Sequence, residues 1–245
     1  MNKLIIPLVA CIACAIIVSV TAVSVRPEQN LNIENEKKIK ILAAAGIETD
    51  KVDEEFSRIK TVFVDFETDK LVTIDPAYDH IKAASDPDLS TVIPKADDIA
   101  VLKRRENIGT IYVWVDEKNA IEKLVLPIRG YGLWGTLYGY IAIDSDLNTI
   151  RGLEFYAHKE TPGLGAEVDN PKWKALWDGK SIYKDDQVEI EVIKGKVDPS
   201  NKMATYQVDG LSGATLTSRG VTNMLVYWFG ESGYKETLKK INYES

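Results

Sequence analysis

The stretch from Asp209 to Ser218 has the residue types and spacing of a phosphate-binding turn that leads into a helix. It reads Asp-Gly-Leu-Ser-Gly-Ala-Thr-Leu-Thr-Ser, with two glycines, one alanine and four hydroxyl residues. Apolar residues follow at the spacing of one helix face, namely Val221, Met224, Leu225 and Trp228. A helix that begins near Thr215 offers free N–H groups and a positive dipole end to an anion. The alternative is an ordinary glycine turn, in which Ser212 or Thr215 caps the helix.

A second glycine-rich loop covers residues 158–166 and reads His-Lys-Glu-Thr-Pro-Gly-Leu-Gly-Ala. It follows a predicted strand, and loops at strand ends are where binding sites are often built. His158 is a candidate site residue, although a solvated loop histidine has the same pattern. Glu160 and Thr161 are also candidates, with local backbone capping as the alternative role.

Between residues 129 and 143, four glycines interleave with four aromatic residues. Glycines within strands permit sharp bends and close backbone approach. The aromatic side chains, among them Trp134 and Tyr138, either pack the core or flank a flat ligand. The pattern itself favours the core.

An apolar segment at the N-terminus predicts a membrane anchor. Residues 4–25 contain no charge and, as a helix, span about 33 Å, enough to cross a bilayer. We therefore expect a cytoplasmic N-terminus at residues 1–3 and an anchor at 4–25, followed by a helical stem at 26–60 and an extracytoplasmic globular domain at 61–245. The alternative is a signal peptide cleaved after residues 20–22, although its apolar core is unusually long for one. A lipoprotein signal ending at Cys11 is disfavoured because the apolar sequence continues well past it.

Helical and strand patterns in the remaining chain predict an α+β fold, a mainly antiparallel sheet with surrounding helices. Strands are expected at 61–66, 110–115, 123–128, 149–156, 188–193 and 204–208. A turn is expected at 117–119, and helices at 31–45, 50–59, 171–177, 215–229 and 232–241. Residues 75–98, with three prolines and many aspartates, are expected to form a loop.

Composition and charge exclude several classes of function. The net charge is −7, so a nucleic acid is not an expected partner. The two cysteines, Cys11 and Cys14, both lie in the apolar segment, and the chain has only two histidines. A thiolate cluster or a multi-histidine metal site is therefore not expected in the globular part. Redox chemistry in this chain would need an organic cofactor.

The anchor, the 158–166 loop and the Asp209–Thr215 sequence together resemble the C subunit of the bacterial Na⁺-translocating NADH:quinone reductase (Nqr). The resemblance covers nearly the whole chain, and its two motifs are typical of the FMN-binding domain of that family. It implies such a domain at about residues 109–230. It also implies that an FMN transferase joins the FMN phosphate to the hydroxyl of Thr215, with Thr217 as the fallback acceptor and Asp209 as part of the recognised motif.

The same resemblance implies a set of residues around the flavin and a role for the chain. Trp134, Tyr138, Leu164 and Gly165 are the expected ring contacts, and Thr161 is a polar contact. The remaining expected cofactor-binding residues are His158, Glu160, Asp209, Ser212, Gly213 and Ala214. The chain would relay single electrons from the iron centre of the complex to the FMN of the B subunit, and so towards ubiquinone or menaquinone. Its partners would be the B, D, E and F subunits and membrane lipid, and its place the cell inner membrane with the domain in the periplasm.

Three other functions remain open at this point. The G subunit of the ferredoxin-linked Rnf complex resembles the chain in its anchor and flavin motif. An anchored binding or scaffold domain would carry no cofactor and leave Thr215 unmodified. A flavin-linked reductase acting alone would be expected to have a second domain or a substrate base, which we do not find in the sequence.

Overall fold

The structure, a computed structural model, describes residues 2–116 and 120–241. The predicted turn at 117–119 lies outside this range. The chain divides into two compact units, residues 1–39 and residues 40–245.

The first unit lies within one long helix, α1 (Asn2–Ala44), which continues through Pro7 and Pro27. Among the described residues, this is the helix long and apolar enough to cross a membrane. The sequence predicted an anchor at 4–25 and a helix again from residue 31, and in the structure the helix is continuous through the residues between them. Residues 28–40 contain three Glu and three Lys, which favour helix, so the apolar span ends at residue 25 without ending the helix.

The second unit contains the following helices and strands after α1. The first group is α2 (Val52–Phe56), β1 (Ile59–Asp65), β2 (Lys70–Val72), α3 (His80–Ser85), β3 (Ser90–Val92), β4 (Arg104–Glu106), β5 (Ile108–Val115), β6 (Ile121–Tyr131), β7 (Thr136–Asp144) and β8 (Ile150–Ala157). The second group is α4 (Pro171–Lys174), β9 (Tyr183–Lys184), β10 (Gln187–Val188), β11 (Glu191–Val192), β12 (Gln207–Val208), α5 (Thr215–Trp228) and α6 (Lys235–Ile241). Short 3-10 helices lie at Gly165–Asp169, Ala175–Trp177 and Ala204–Tyr206.

Six strands form one antiparallel sheet in the order β2-β1-β5-β6-β7-β8. The predicted α+β class is therefore confirmed. The predicted strands at 188–193 and 204–208 are much shorter than expected. The first contributes Val188 to β10 and forms β11, and the second forms β12; β11 and β12 pair in parallel in a separate two-stranded sheet. The expected loop at 75–98 contains α3 and β3, because a six-residue helix is too short to show helical periodicity in the sequence.

The two faces of the sheet pack against different helices. On one face, Leu137 and Ile141 of β7 share a core with Met224 and Trp228 of α5. Gly130 of β6 lets this helix approach closely, since a Cβ there would lie 2.6 Å from the Met224 Cβ. On the other face, Tyr112 and Tyr140 pack with Ile41 and Leu42 near the end of α1. Side chains on β7 therefore alternate between the α5 core and the α1 core.

A buried ion pair lies beneath α5. The Arg129 guanidinium donates from Nη1 to Glu106 Oε1 at 2.9 Å and stacks on the Trp228 ring at 5.3 Å. Although burial alone would lower the pKa of Arg129, the adjacent Glu106 carboxylate raises it. The two opposite charges therefore stabilise each other inside the core.

Candidate functional site

Helix α5 begins at Thr215, as the sequence predicted. The N-cap residue is Ala214, and no side chain in the described part of the chain caps this end of the helix. The alternative in which Ser212 or Thr215 caps the helix is not observed, and both residues are exposed. The Thr215 hydroxyl therefore lies at the surface, beside N–H groups of the first turn that no side chain satisfies.

Gly213 joins the two glycine-rich loops. Its φ of 72° lies in the left-handed region, which glycine adopts without strain. A Cβ at this position would lie 2.8 Å from Leu164 Cδ2, so the Leu164 side chain packs directly over the backbone of the 209–215 loop. The structure thus brings the two sequence motifs together, which their separation of about 50 residues in the chain did not itself establish.

The carboxylate of Glu160 is buried and joins three segments, an arrangement that we call the Glu160 junction. Its Oε1 accepts hydrogen bonds from the backbone N–H groups of Leu133 and Trp134, each at 2.9 Å. Its Oε2 accepts from Thr217 Oγ1 at 2.6 Å. Glu160 therefore connects the turn between β6 and β7, the loop after β8, and the first turn of α5.

Thr217 and Thr215 have opposite surroundings although they are two residues apart. Thr217 is fully buried, and its hydroxyl donates to Glu160, whereas Thr215 is exposed. Of these two hydroxyls, that of Thr215 is the one open to a modifying enzyme in the folded chain.

Four exposed apolar side chains belong to the segments that meet at these loops. They are Leu133, Trp134, Leu164 and Leu216, and Trp134 is 61% exposed. Thr161 is also exposed, while Gly165 is buried. The lack of a side chain at Gly165 is required, since a Cβ would lie 2.7 Å from Thr217 Oγ1 and closer still to Glu160 Oε2.

Tyr138 does not join this group. Its ring lies 6.0 Å from that of Tyr156, and Tyr156 stacks in turn on Tyr140, which belongs to the core on the α1 side of the sheet. Because neighbouring residues of β7 point to opposite faces, Leu137 lies on the α5 side and Tyr138 on the other.

His158 and Asp209 are held mainly by protein atoms. His158 Nε2 lies 2.7 Å from Asp169 Oδ2, and its Nδ1 accepts from the Glu160 backbone N–H at 3.2 Å. Asp209 Oδ1 accepts from the Val197 backbone N–H at 2.8 Å, and its carbonyl accepts from Trp173 Nε1 at 2.8 Å. Both residues therefore fix the ends of their loops.

A cavity of about 860 Å³ lies beside Thr215, and its charged lining was not predicted from the sequence. Its lining includes Ser212, Gly213 and Thr215, three basic residues (Lys194, Lys196 and Arg219) and two acidic residues (Glu191 and Asp209). None of the three basic side chains pairs with an acidic group among the described residues. The Lys-Gly-Lys sequence at 194–196 is the pattern from which these basic residues could have been predicted. Gly195, with a φ of 88°, forms a tight bend between the two lysines.

Comparisons with known proteins identify the domain in which these loops lie. The model of the family described as FMN-binding domain matches residues 132–229, which include the Glu160 junction and Thr215. The C subunit of the Na(+)-translocating NADH-quinone reductase of Pseudomonas aeruginosa is 45% identical over 251 aligned residues, which cover 98% of this chain and 95% of that protein. The protein of the same name from Yersinia pestis is 38% identical and covers 98% and 92% of the two chains.

Solved structures show the same fold. The crystal structure of Shewanella oneidensis NqrC matches with a TM-score of 0.79 and 31% identity, over 85% of this chain and 97% of that chain. The crystal structure of the C subunit from Parabacteroides distasonis matches with a TM-score of 0.66 and 30% identity, over 87% and 96%. With its fold, its FMN-binding domain and relatives aligned over nearly its full length, this chain belongs to the family of C subunits of the Na⁺-translocating NADH-quinone reductases.

Proposed function

We propose that this chain is an electron-relay subunit of a Na⁺-translocating NADH:quinone reductase, and that it carries FMN joined by a phosphodiester to the Thr215 hydroxyl. The observation that supports this best is the exposed Thr215 hydroxyl at a helix start without a side-chain cap, within the FMN-binding domain. Thr217, the fallback acceptor, is a poor candidate because its hydroxyl is buried and already donates to Glu160.

The residues present fit the phosphate of such a group. A phosphodiester keeps one negative charge, which N–H groups at the start of α5 stabilise. Lys194, Lys196 and Arg219 add positive charge to the adjacent cavity. Gly213 and Ser212 line the same cavity as Thr215.

The residues present also fit a flat, largely apolar ring. Trp134 and Leu164 expose apolar surface on two of the joined segments, and Leu216 lies next to Thr215 in the chain. We assign Trp134, Leu164 and Gly165 as the ring wall and Thr161 as a polar contact, and we leave Tyr138 out because it lies on the other face of the sheet. His158, Glu160 and Asp209 are assigned to holding the loops in place.

Bound FMN supplies reversible electron transfer, and the chain supplies its position and surroundings. No general base or nucleophile other than the attachment hydroxyl is needed for this role. By family membership we propose electron transfer from the iron centre of the complex to the flavin of the B subunit and then to the quinone, with Na⁺ export coupled in the whole complex. The B, D, E and F subunits and the FMN transferase are the proposed protein partners.

The membrane arrangement is also a proposal. Residues 4–25 would cross the inner membrane, with residues 1–3 in the cytoplasm and the domain from residue 61 in the periplasm. Lys3 precedes the apolar span and favours this orientation. The stem, proposed at 26–60, combines the polar end of α1 with the short helix α2.

Changing Thr215 to alanine is expected to remove the covalent flavin. After co-expression with the transferase, intact-mass analysis of the wild-type chain should show the mass gain of one FMN, and the Thr215→Ala chain should show none. Thr217→Val is the matched control, because it removes the neighbouring hydroxyl and should keep the gain. A gain that persists in Thr215→Ala would overturn this attachment site.

A colourless, unmodified wild-type chain would instead support an anchored scaffold without cofactor. The relatives named above favour the quinone reductase over the Rnf complex. Reduction of the flavin by ferredoxin-linked partners in the absence of NADH would reverse that choice.

A further inference from the structure

We propose that Glu160 is a positioning residue of the flavin site, and that its buried carboxylate also makes the flavin harder to reduce. This inference rests on the proposed function. The carboxylate holds the turn that carries Trp134 against the start of α5, which carries Thr215. It acts through the protein without touching the flavin.

The hydrogen bonds of the Glu160 junction leave the carboxylate little capacity for a ligand. Both oxygens accept from protein donors at 2.6 to 2.9 Å, and the residue is 6% exposed. The carboxylate packs closely against two glycines. A Cβ at Gly132 would lie 2.6 Å from Oε1, and one at Gly165 would strike Oε2. Direct contact with a bound ring would require the junction to open.

The junction links the proposed ring wall to the attachment point. One of its donors is the N–H of Trp134 itself, and another is the hydroxyl of Thr217, two residues after Thr215. The Glu160 side chain therefore contributes directly to how the exposed indole is placed relative to the first turn of α5. Loss of either bond weakens the link between the turn that joins β6 to β7 and the start of α5.

The charge of Glu160 has a separate consequence. The carboxylate accepts three side-chain hydrogen bonds and donates none. Within the described residues, no lysine or arginine forms an ion pair with it. A buried negative charge that lacks a cationic partner opposes the addition of electrons nearby, because low polarity strengthens the repulsion.

Two variants of the full, anchored chain separate these effects. Glu160→Gln removes the charge but keeps an oxygen acceptor for the turn and an amide that can bond to Thr217. We expect it to keep the covalent FMN mass and to shift the ratio of reduced to oxidised flavin, at a fixed ambient potential, about tenfold towards reduced. Glu189→Gln, which makes the same charge change at an exposed position, is the control and should leave the ratio unchanged.

Thr217→Val tests the positioning role of Glu160 while leaving the Glu160 carboxylate in place. It removes the donor to Oε2, so amide exchange at Leu133 and Trp134 should become faster and the visible circular dichroism of the flavin should change. Thr217→Ser restores the hydroxyl and should restore both signals. This pair keeps the proposal testable if Glu160→Gln fails to fold.

The outcomes distinguish this inference from the proposed function. A wild-type chain without the FMN mass gain overturns both. A normal mass gain with an unchanged ratio of reduced to oxidised flavin in Glu160→Gln overturns the proposed effect of the Glu160 charge on flavin reduction. Unchanged amide exchange and circular dichroism in Thr217→Val overturn the positioning role, while attachment to Thr215 stands.

Discussion

Replacing Arg129 with methionine is expected to lower the free energy of unfolding by about 3–5 kcal/mol. Arg129 and Glu106 are both almost fully buried, and removing the cation leaves the Glu106 carboxylate inside the core without its partner. The variant also loses the stacking of the guanidinium on Trp228. Because domains are usually stable by only about 5–15 kcal/mol, this loss is large. Urea unfolding of the detergent-solubilised chain, followed by circular dichroism, measures it.

Arg151→Met is the matched control for this prediction. Arg151 also pairs with a carboxylate, Asp144, but its side chain is 39% exposed, so the change should cost about 1 kcal/mol or less. A second variant, Arg129→Met combined with Glu106→Leu, should recover much of the loss, because no unpaired charge then remains at this position in the core. Equal effects of the two single arginine variants would contradict the role of burial.

Changing Gly165 to alanine is expected to lower the free energy of unfolding by about 1–3 kcal/mol. The new Cβ would lie 2.7 Å from Thr217 Oγ1 and would also strike Glu160 Oε2, so the Glu160 junction must separate. Faster amide exchange at Leu133 and Trp134 should accompany the loss, since both N–H groups donate to Glu160. Chemical unfolding and hydrogen exchange measure the two effects.

Gly135→Ala provides the comparison for Gly165. A Cβ at Gly135 would come no closer than 3.4 Å to a neighbour, the flexible side chain of Lys159. We expect a change within about 0.5 kcal/mol and normal amide exchange. If Gly165→Ala behaves in the same way, the steric account of this glycine is wrong.

The order of residue types along the chain was enough to predict the features that depend on neighbours in sequence. Helical spacing after residue 215 and the small residues before it predicted the start of α5 at Thr215. Alternating strands predicted the antiparallel sheet, and the uncharged run at 4–25 predicted one helix able to span a membrane. The two glycine-rich motifs were distinctive enough to indicate the FMN-binding family.

Other features depended on contacts between distant segments. Glu160 and Thr217 were both candidates to touch the cofactor, yet their side chains bond to each other across 57 positions in the chain. Tyr138 had the residue type of a ring contact, but its position in β7 places it on the sheet face that carries Tyr140 and Tyr156. The charges of Lys194, Lys196 and Arg219 meet beside Thr215 only because β11 and the helix α5 pack together.

The sequence by itself therefore predicted the family, the long apolar helix and the residue at which α5 begins, because these follow from local spacing and residue type. Tertiary structure decided which hydroxyl stays accessible. Thr215 and Thr217 have the same chemistry and lie within one turn of helix, but the helix directs Thr217 into the core, where the buried Glu160 carboxylate needs a donor. Thr215 is directed to the surface, and burial thus separates two residues that composition cannot distinguish.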